Sequence, residues 1–327
     1  NYVLVDDGIT ISGGNGGITY SSSQGAAGGS AINGDNFQLK NKGSIIGGNG
    51  GSSGMGGYFS NGIAIGGSGG DGISGTNISI INYADGKISG GGYSLADINS
   101  PVNYYSTALG DNSIGGKGGN GISGSIISIT NYGDILGGVG GTAHSGSDLK
   151  STGGDGGYGI KGVGININNN GTITGGAGGI GSNYKTGTTG GRGGNAISGV
   201  NISINNSGEI KGGNGGKVVS LTDVLSTTDA GGNGGDAIEG SYINITNSGT
   251  ISRGEGYSLS SITNGTPGAA IRLTSGENKL TLKDGSIITG DIILSPTDTD
   301  TTNTLLITSD DATTVTGNLT ASAYTGV

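Results

Sequence analysis

The feature that most constrains this chain is a repeated unit in which two short apolar-alternating segments lie between two glycine arms. The unit is clearest in residues 190–216, GGRGGNAISGVNISINNSGEIKGGNGG. Ile202 and Ile204 alternate there with polar residues, which predicts a strand with one buried face. Asn206-Ser207-Gly208 then supplies the residues of a turn. A unit this short cannot bury its apolar edge alone, so it must stack on copies of itself.

Copies of the unit recur along most of the chain. The opening isoleucine is found again at Ile32, Ile73, Ile122, Ile160, Ile197, Ile238 and Ile271. These positions fall within the spacing of about 20 to 50 residues that is typical of solenoids and arrays. Five units also share an asparagine after the inner strand, at Asn82, Asn131, Asn169, Asn206 and Asn247. Stacked asparagines form side-chain amide ladders, which gives a physical reason for their recurrence.

Composition separates the possible repeat architectures. Helical repeats need long runs of helix-forming residues, leucine-rich repeats need leucine at the inward positions, and propeller blades usually carry aromatic signatures. This chain has isoleucine at the inward positions, no Trp and only two Phe. β-Branched residues at alternating positions, with Asn and Gly at the corners, favour a parallel β-helix in which each rung hydrogen-bonds to the next. The fold class predicted from the sequence is therefore all-β.

Overall composition excludes several other classes. Glycine provides 80 of the 327 residues, but it does not recur at every third position through long runs as in collagen, and only three prolines are present. Low-complexity tails do not keep apolar residues in register as this chain does. The net charge is −9 without a basic stripe, which argues against nucleic acid as a partner. No apolar run is long enough to span a membrane, and the absence of cysteine excludes disulfides.

Glycine arms bracket the variable inserts, as in residues 47–51 with 66–70 and residues 175–179 with 190–194. The Gly-Gly-x pattern has a period of three, which matches an extended helix with three residues per turn. Such arms either stack into an ordered polyglycine slab or act as flexible hinges. Because the inserts occupy one place in each rung, we expect them on one face as a binding surface. Their candidate ligand-binding residues are Tyr58, Phe59, Tyr93, Tyr104, Tyr105, Tyr184 and Lys185.

The sequence divides at Ala269. Residues 1–268 hold the repeated rungs with their inserts, and residues 269–327 read as plainer rungs with few glycines. From Gly276 to Ile307 the chain reads Gly-x-Asn-x-Leu-Thr-Leu, Gly-Ser-x-Ile-x-Gly-Asp-Ile and Asn-Thr-Leu-x-Ile. This pattern, with the upstream Ile-x-Asn-x-Gly-x-Ile-x-Gly-Gly units, resembles bacterial autotransporter passenger domains of the pertactin-like and self-associating adhesin type. The resemblance implies a right-handed, three-sided β-helix, exported through a C-terminal outer-membrane barrel that these residues do not include.

Chemical sites are few. Residues 66–74 and 231–239 fit the calcium-binding nonapeptide pattern, with Asp71 and Asp236 as candidate ligands. Because the two matches lie in separate units, polar ends of glycine arms are the preferred interpretation and calcium the alternative. The single histidine, His144, lies in a polar stretch that predicts an exposed loop. A glycan-cleaving enzyme would need paired carboxylates, and the closest approach is Asp284 with Asp291. We therefore expect no catalytic residues and no cofactor.

The functional expectation follows from the resemblance and the inserts. It is an adhesin associated with virulence, secreted or displayed on the bacterial outer membrane, that binds a host cell-surface protein or glycan or associates with neighbouring bacteria. The alternative is a released effector that engages a host-cell receptor. A polysaccharide-degrading β-helix enzyme is the third possibility.

Overall fold

A computed structural model shows the predicted parallel β-helix. It describes residues 1–18, 24–53, 63–92, 108–110, 112–145, 150–183, 187–220, 225, 227–294, 302–308 and 313–321. Within these residues the structure is all-β, and every strand pair is parallel. Nothing among them forms a helix of the length and apolarity needed to cross a membrane.

Two sheets run the length of the stack. The first, called the long sheet, contains β1 (Tyr2–Val5), β3 (Ile32–Asn33), β4 (Phe37–Asn41), β7 (Ile73–Asn82), β11 (Ile122–Asn131), β15 (Ile160–Asn169), β18 (Ile197–Asn206), β21 (Ile238–Asn247), β23 (Ile271–Leu273), β24 (Glu277–Leu282), β26 (Ile292–Leu294), β27 (Thr302–Ile307) and β29 (Leu319–Ala321). The second, called the narrow sheet, contains β2 (Thr10–Ser12), β5 (Ser44–Ile46), β8 (Lys87–Ser89), β12 (Asp134–Leu136), β16 (Thr172–Thr174), β19 (Glu209–Lys211), β22 (Thr250–Ser252), β25 (Ile287–Thr289) and β28 (Thr314–Thr316).

Each complete rung has three strand segments because its ten-residue strand is bent. In β11, residues 122–125 and 127–131 pair with β7 and β15, whereas Ile126 between them is unpaired and has φ of 55°. The third segment is the short strand of the narrow sheet. Equivalent isoleucines lie directly above one another, as Ile122 does with Ile73 and Ile160. The rung cross-section therefore has three corners.

The core is a column of these isoleucines. The opening residues Ile73, Ile122, Ile160, Ile197, Ile238 and Ile271 have no exposed surface. The narrow sheet adds a second buried line at Ile45, Ile88, Ile135, Ile173, Ile210, Ile251 and Ile288. Together with the inner strand residues they form one continuous apolar cluster. The buried cluster thus continues from rung to rung between Val5 and Ile292, which confirms the repeat register predicted from the sequence.

The corner between the long and narrow sheets is closed by the predicted amide ladder. Its members Asn41, Asn82, Asn131, Asn169, Asn206 and Asn247 are fully buried. Each side-chain nitrogen donates to the carbonyl oxygen of the next asparagine, at 2.7 to 2.9 Å. The same nitrogen also reaches backbone carbonyls of the turn, as Asn131 reaches Gly133 at 3.0 Å. The ladder satisfies buried polar groups that a closely wound corner would otherwise leave unpaired.

Glycine arms leave the rung after the narrow sheet and return before the long sheet, where they form an ordered slab of two layers. In one rung the outgoing arm is Gly137–Gly141 and the returning arm is Gly153–Gly157. The first glycine of each pair donates within its own layer, as Gly140 does to Ala177 at 2.9 Å. The second donates to the other layer, as Gly157 does to Gly138 at 2.8 Å. The ordered slab, rather than a set of flexible hinges, is therefore the observed arrangement.

The slab explains why its residues are glycine. Burial along the arms has a period of three, with two buried glycines followed by one outward residue such as Asp155 or Arg192. The arm glycines do not have positive φ, so backbone freedom is not the reason for them. A methyl group at Gly157 would instead overlap the carbonyl oxygen of Gly119 in the neighbouring arm. Close approach of one backbone to another excludes any side chain at these positions.

Candidate functional site

The slab holds the inserts in one row on one side of the β-helix. Short strands at the ends of the arms continue the rung-to-rung stacking in two small sheets. One contains β9 (Ala108–Gly110), β13 (Ala143–Ser145), β17 (Gly181–Asn183) and β20 (Val218–Ser220), and the other contains β6 (Ile63–Ile65), β10 (Asn112–Ile114) and β14 (Ser151–Thr152). Single bridges extend the second stack through Thr189 and Ala230 to Thr263. The described ends of the lateral inserts therefore lie on one face, as the sequence predicted.

The aromatic ligand-binding candidates belong to these inserts. Tyr58, Phe59, Tyr93, Tyr104, Tyr105, Tyr184 and Lys185 all lie outside the described residues. The flanking strands and arms fix where each insert begins and ends. The role of these side chains in binding stays a prediction.

The calcium candidates occupy a single column at the ends of the returning arms, which continues from Asp71 through Asn120, Tyr158 and Asn195 to Asp236. Asp71 accepts hydrogen bonds from the backbone and side-chain nitrogens of Asn120, at 2.8 and 2.9 Å, and from the hydroxyl of Ser123. These contacts tie Asp71 to the following rung. The described residues contain no group of three His, Cys, Asp or Glu side chains that would hold a metal ion together.

Asp236 is the most completely engaged carboxylate of this column. It is fully buried and accepts hydrogen bonds from Arg272 Nε at 2.8 Å, from Arg272 Nη2 at 3.2 Å and from the backbone nitrogen of Ala269 at 2.6 Å. This carboxylate raises the pKa of Arg272 through the side-chain hydrogen bond. An ion pair therefore joins the end of the slab to the first rung of the C-terminal region.

Within this column, the ring of Tyr158 contacts two ammonium groups. The Nζ atoms of Lys117 and Lys161 are 4.9 and 5.0 Å from its ring centroid, which is cation–π geometry. Burial lowers the pKa of Lys117, and the nearby charge of Lys161 lowers it further. Burial also raises the pKa of Tyr158. The phenol therefore stays neutral at physiological pH, and its ring packs against the two ammonium groups.

The prediction that His144 lies in an exposed loop is wrong. It belongs to β13 and is partly buried, and this burial lowers its pKa. Its Nδ1 atom is 3.1 Å from the hydroxyl of Ser182, and that hydroxyl is 3.1 Å from the carbonyl oxygen of Ala143, to which it donates. Because the proton of Ser182 is directed to the backbone, the pair does not have the geometry of an activated nucleophile.

A groove that the sequence analysis missed follows the bend of the long strands. We call it the bend groove. Two cavities of about 460 and 420 Å³ form it and share Gly164 and Asn166. Its floor is the outward face of successive strands, at Gln38, Ser79, Ser128, Asn166, Ser203 and Asn244. The side chains of Ser79, Ser128, Asn166, Ser203 and Asn244 have no hydrogen-bond partner among the described residues. They are therefore free to bind a ligand.

The wall of the bend groove is the column of bend residues, Asn36, Asn77, Ile126, Gly164, Asn201 and Tyr242. All six have φ between 54° and 68°, the left-handed region that Asn and Gly tolerate and β-branched residues avoid. Ile126 is nevertheless found there with 62% of its surface exposed, and Tyr242 with 52%. Strain combined with apolar exposure marks this wall as a candidate contact surface.

Comparison of the chain with family models, curated proteins and solved structures found no match. The function must therefore be argued from the residues and the geometry.

Proposed function

We propose that this chain is the secreted or surface-displayed part of an adhesin. Its inserts bind host cell-surface proteins or glycans, or the same protein on neighbouring bacteria. The observation that carries the proposal is the glycine slab, because its hydrogen-bonded backbone holds the ends of successive inserts in one row. Variable loops on a fixed scaffold are the usual construction of a recognition surface. A row of several weak contacts also gains affinity through multivalency.

Charge and chemistry of the described residues agree with binding rather than catalysis. The net charge of −9 and the absence of a basic stripe disfavour nucleic acid as the partner. The bend groove has no carboxylate in its lining. Asp291, one of the two acidic candidates for glycan cleavage, instead accepts a hydrogen bond from the backbone of Asn318 at 2.9 Å. Paired carboxylates facing a groove would be needed for hydrolysis.

The test replaces loop tyrosines and measures attachment. Beads coated with the wild-type chain should adhere to epithelial cells or cluster with one another. Replacing Tyr104 and Tyr105 by serine should lower attachment at least about tenfold, since buried aromatic anchors dominate most interfaces. The matched control is Tyr132→Ser, because Tyr132 is 48% exposed at the amide-ladder corner, away from the inserts.

Two results would contradict the proposal. One is attachment that is unchanged when Tyr93 and Tyr184 are also replaced by serine. The other is an effect of the soluble chain on cells to which coated beads do not adhere. The second result would favour a released effector instead.

A further inference from the structure

We propose that the bend groove binds an extended, uncharged polysaccharide chain. The site is separate from the inserts, because the bend lies at a different corner of the rung from the glycine arms. Three properties of the groove each exclude a class of ligand: its continuity over successive rungs, its neutral hydrogen-bonding floor and the complete pairing of the strands beneath it. Its apolar wall residues then favour a pyranose ring.

Continuity indicates a chain rather than a small molecule. The bend column runs over six rungs from Asn36 to Tyr242, which at a rung spacing of about 4.8 Å gives a length of about 24 Å. Gly164 has no side chain, and this gap joins the two cavities. Similar polar groups recur at every rung, and a β-linked hexose unit is about as long as one rung is high. Successive sugars would therefore meet equivalent groups.

The neutral floor excludes anionic chains. The lining contains amides, hydroxyls, apolar side chains and backbone groups, those of Asn1 among them, and no side chain of Asp, Glu, Lys, Arg or His. Nucleic acids and sulfated or uronic-acid polymers are bound through cationic side chains, which this groove does not provide. Amides such as Asn166 and Asn244 offer both a donor and an acceptor, which suits the hydroxyl groups of neutral sugars.

The closed hydrogen bonding of the sheet excludes strand addition by a peptide. Residues 127–131 and 165–169 already pair with strands on both sides, so the groove contains no free strand edge. Ile126 and Tyr242 instead present apolar surface at the wall. The Tyr242 ring rests against Gly276, which fixes its orientation. A fixed aromatic face next to amides is suited to the apolar face of a pyranose ring.

The experiment measures binding of oligosaccharides to the purified chain by titration calorimetry. The probes are glucose, mannose and N-acetylglucosamine oligomers of increasing length, with oligogalacturonate and a Gly/Ser/Thr peptide for comparison. We expect at least one neutral series to bind, with affinity that rises with length until the groove is filled. Preference for oligogalacturonate or the peptide, or the absence of binding by every neutral series, would overturn the proposal.

Variants locate the site. Asn166→Ala with Asn244→Ala should weaken binding at least about tenfold. Asn168→Ala is the matched control, since Asn168 is exposed on the same strand but does not line the groove; it should change affinity less than about twofold. The Tyr104→Ser and Tyr105→Ser variants should bind the oligosaccharide normally, which separates this site from the insert row. Equal affinity of the Asn166/Asn244 variant and wild type would refute the assignment.

The variant Ile126→Asn tests whether the exposed Ile126 side chain contacts the ligand. Asn occupies the equivalent position at Asn36, Asn77 and Asn201 and tolerates the left-handed conformation. The variant should therefore melt at a higher temperature than the wild type and bind the oligosaccharide more weakly. A higher melting temperature with unchanged affinity would remove Ile126 from the site, and a lower melting temperature would show that the conformation does not strain this residue.

Discussion

The isoleucine column and the glycine slab are built on the same rungs but are held together differently. In the column, side chains such as Ile165 and Ile167 fill the interior, and the backbone pairs in parallel sheets. In the slab, the backbone itself fills the interior, and each glycine pair donates one hydrogen bond within its layer and one to the other layer. The column is thus stabilised mainly by apolar burial, and the slab by hydrogen bonding and backbone contact.

Because of this difference, the stability of the two regions should respond differently to the gain or loss of one methyl group. Protein cores lose stability gradually when a methyl is removed, because neighbouring side chains relax in part. The slab has no side chains that are able to move aside. It should therefore respond far more sharply to an added methyl than the column does to a lost one.

The largest effect is expected for Gly157→Ala. The new methyl would overlap the carbonyl group of Gly119 in the adjacent arm of the same layer, so the two arms must move apart locally. We expect a loss of at least about 4 kcal/mol in the free energy of unfolding, measured by urea denaturation, which is exceptional for one methyl. Hydrogen exchange should accelerate at Gly138 and Gly176 before it does in the long sheet. Ala177→Ser, at an outward position of the slab, should stay within about 0.5 kcal/mol of wild type.

The next largest effect is expected where slab and column meet. Arg272→Met would leave the buried carboxylate of Asp236 with the backbone nitrogen of Ala269 and, as its one cationic neighbour among the described residues, the distant Arg192 at 3.9 Å. Removing one partner of a buried ion pair leaves an uncompensated charge, and we expect a loss of about 3 kcal/mol by urea denaturation. Arg253→Met is the control, because its 3.2 Å pair with Glu255 is at the surface and should contribute less than about 0.5 kcal/mol. Similar losses for both variants would contradict the buried ion pair.

Breaking the amide ladder should have a smaller effect. Asn169→Ala removes the acceptor of Asn131 and the donor to Asn206, and both remain buried. The buried Oδ1 of Asn206 loses its donor, and Asn131 Nδ2 keeps only its backbone acceptors, which predicts a loss of about 2 kcal/mol. Asn168→Ala, one residue earlier and exposed, should have no measurable effect on the denaturation midpoint. A loss for Asn169→Ala no larger than that for Asn168→Ala would show that the ladder does not stabilise the corner.

The smallest effect is expected in the column itself. Ile165→Val deletes one methyl group from the middle of the stack and should cost about 1 kcal/mol. The ratio between this loss and that of Gly157→Ala measures the contrast between the two regions directly. Equal losses would mean that side-chain packing and backbone packing tolerate disturbance alike.

The sequence predicted those parts of the fold in which one position keeps one type of residue. Inward isoleucines and corner asparagines recur in register, so the column and the amide ladder followed from the repeat. The slab was left undecided, because a period of three in glycine is compatible with both a hinge and an ordered helix. Its order depends on partners in other rungs, such as Gly138 for Gly157.

The sequence does not predict the bend groove, because its equivalent positions do not keep one type of residue. Its wall residues share a conformation rather than a type, since Asn36, Ile126, Gly164 and Tyr242 occupy equivalent places. The recurrence of Asn and Gly at this place was the only available signal. His144 was misplaced because a polar, glycine-rich stretch predicts a loop, whereas stacking against the neighbouring rungs makes it a strand.

The period of three in the arms also limits how the distance between the inserts and the β-helix can change. Two glycines and one outward residue advance an extended arm by about 9 Å, and only a whole step restores both sets of hydrogen bonds. An arm lengthened by one or two residues would put a side chain where a neighbouring backbone lies. The reach of the inserts is therefore fixed in discrete increments, and the outgoing and returning arms of adjoining rungs must lengthen together. The outward residues are outside this restriction, so the chemistry of the surface is free to vary while its dimensions are not.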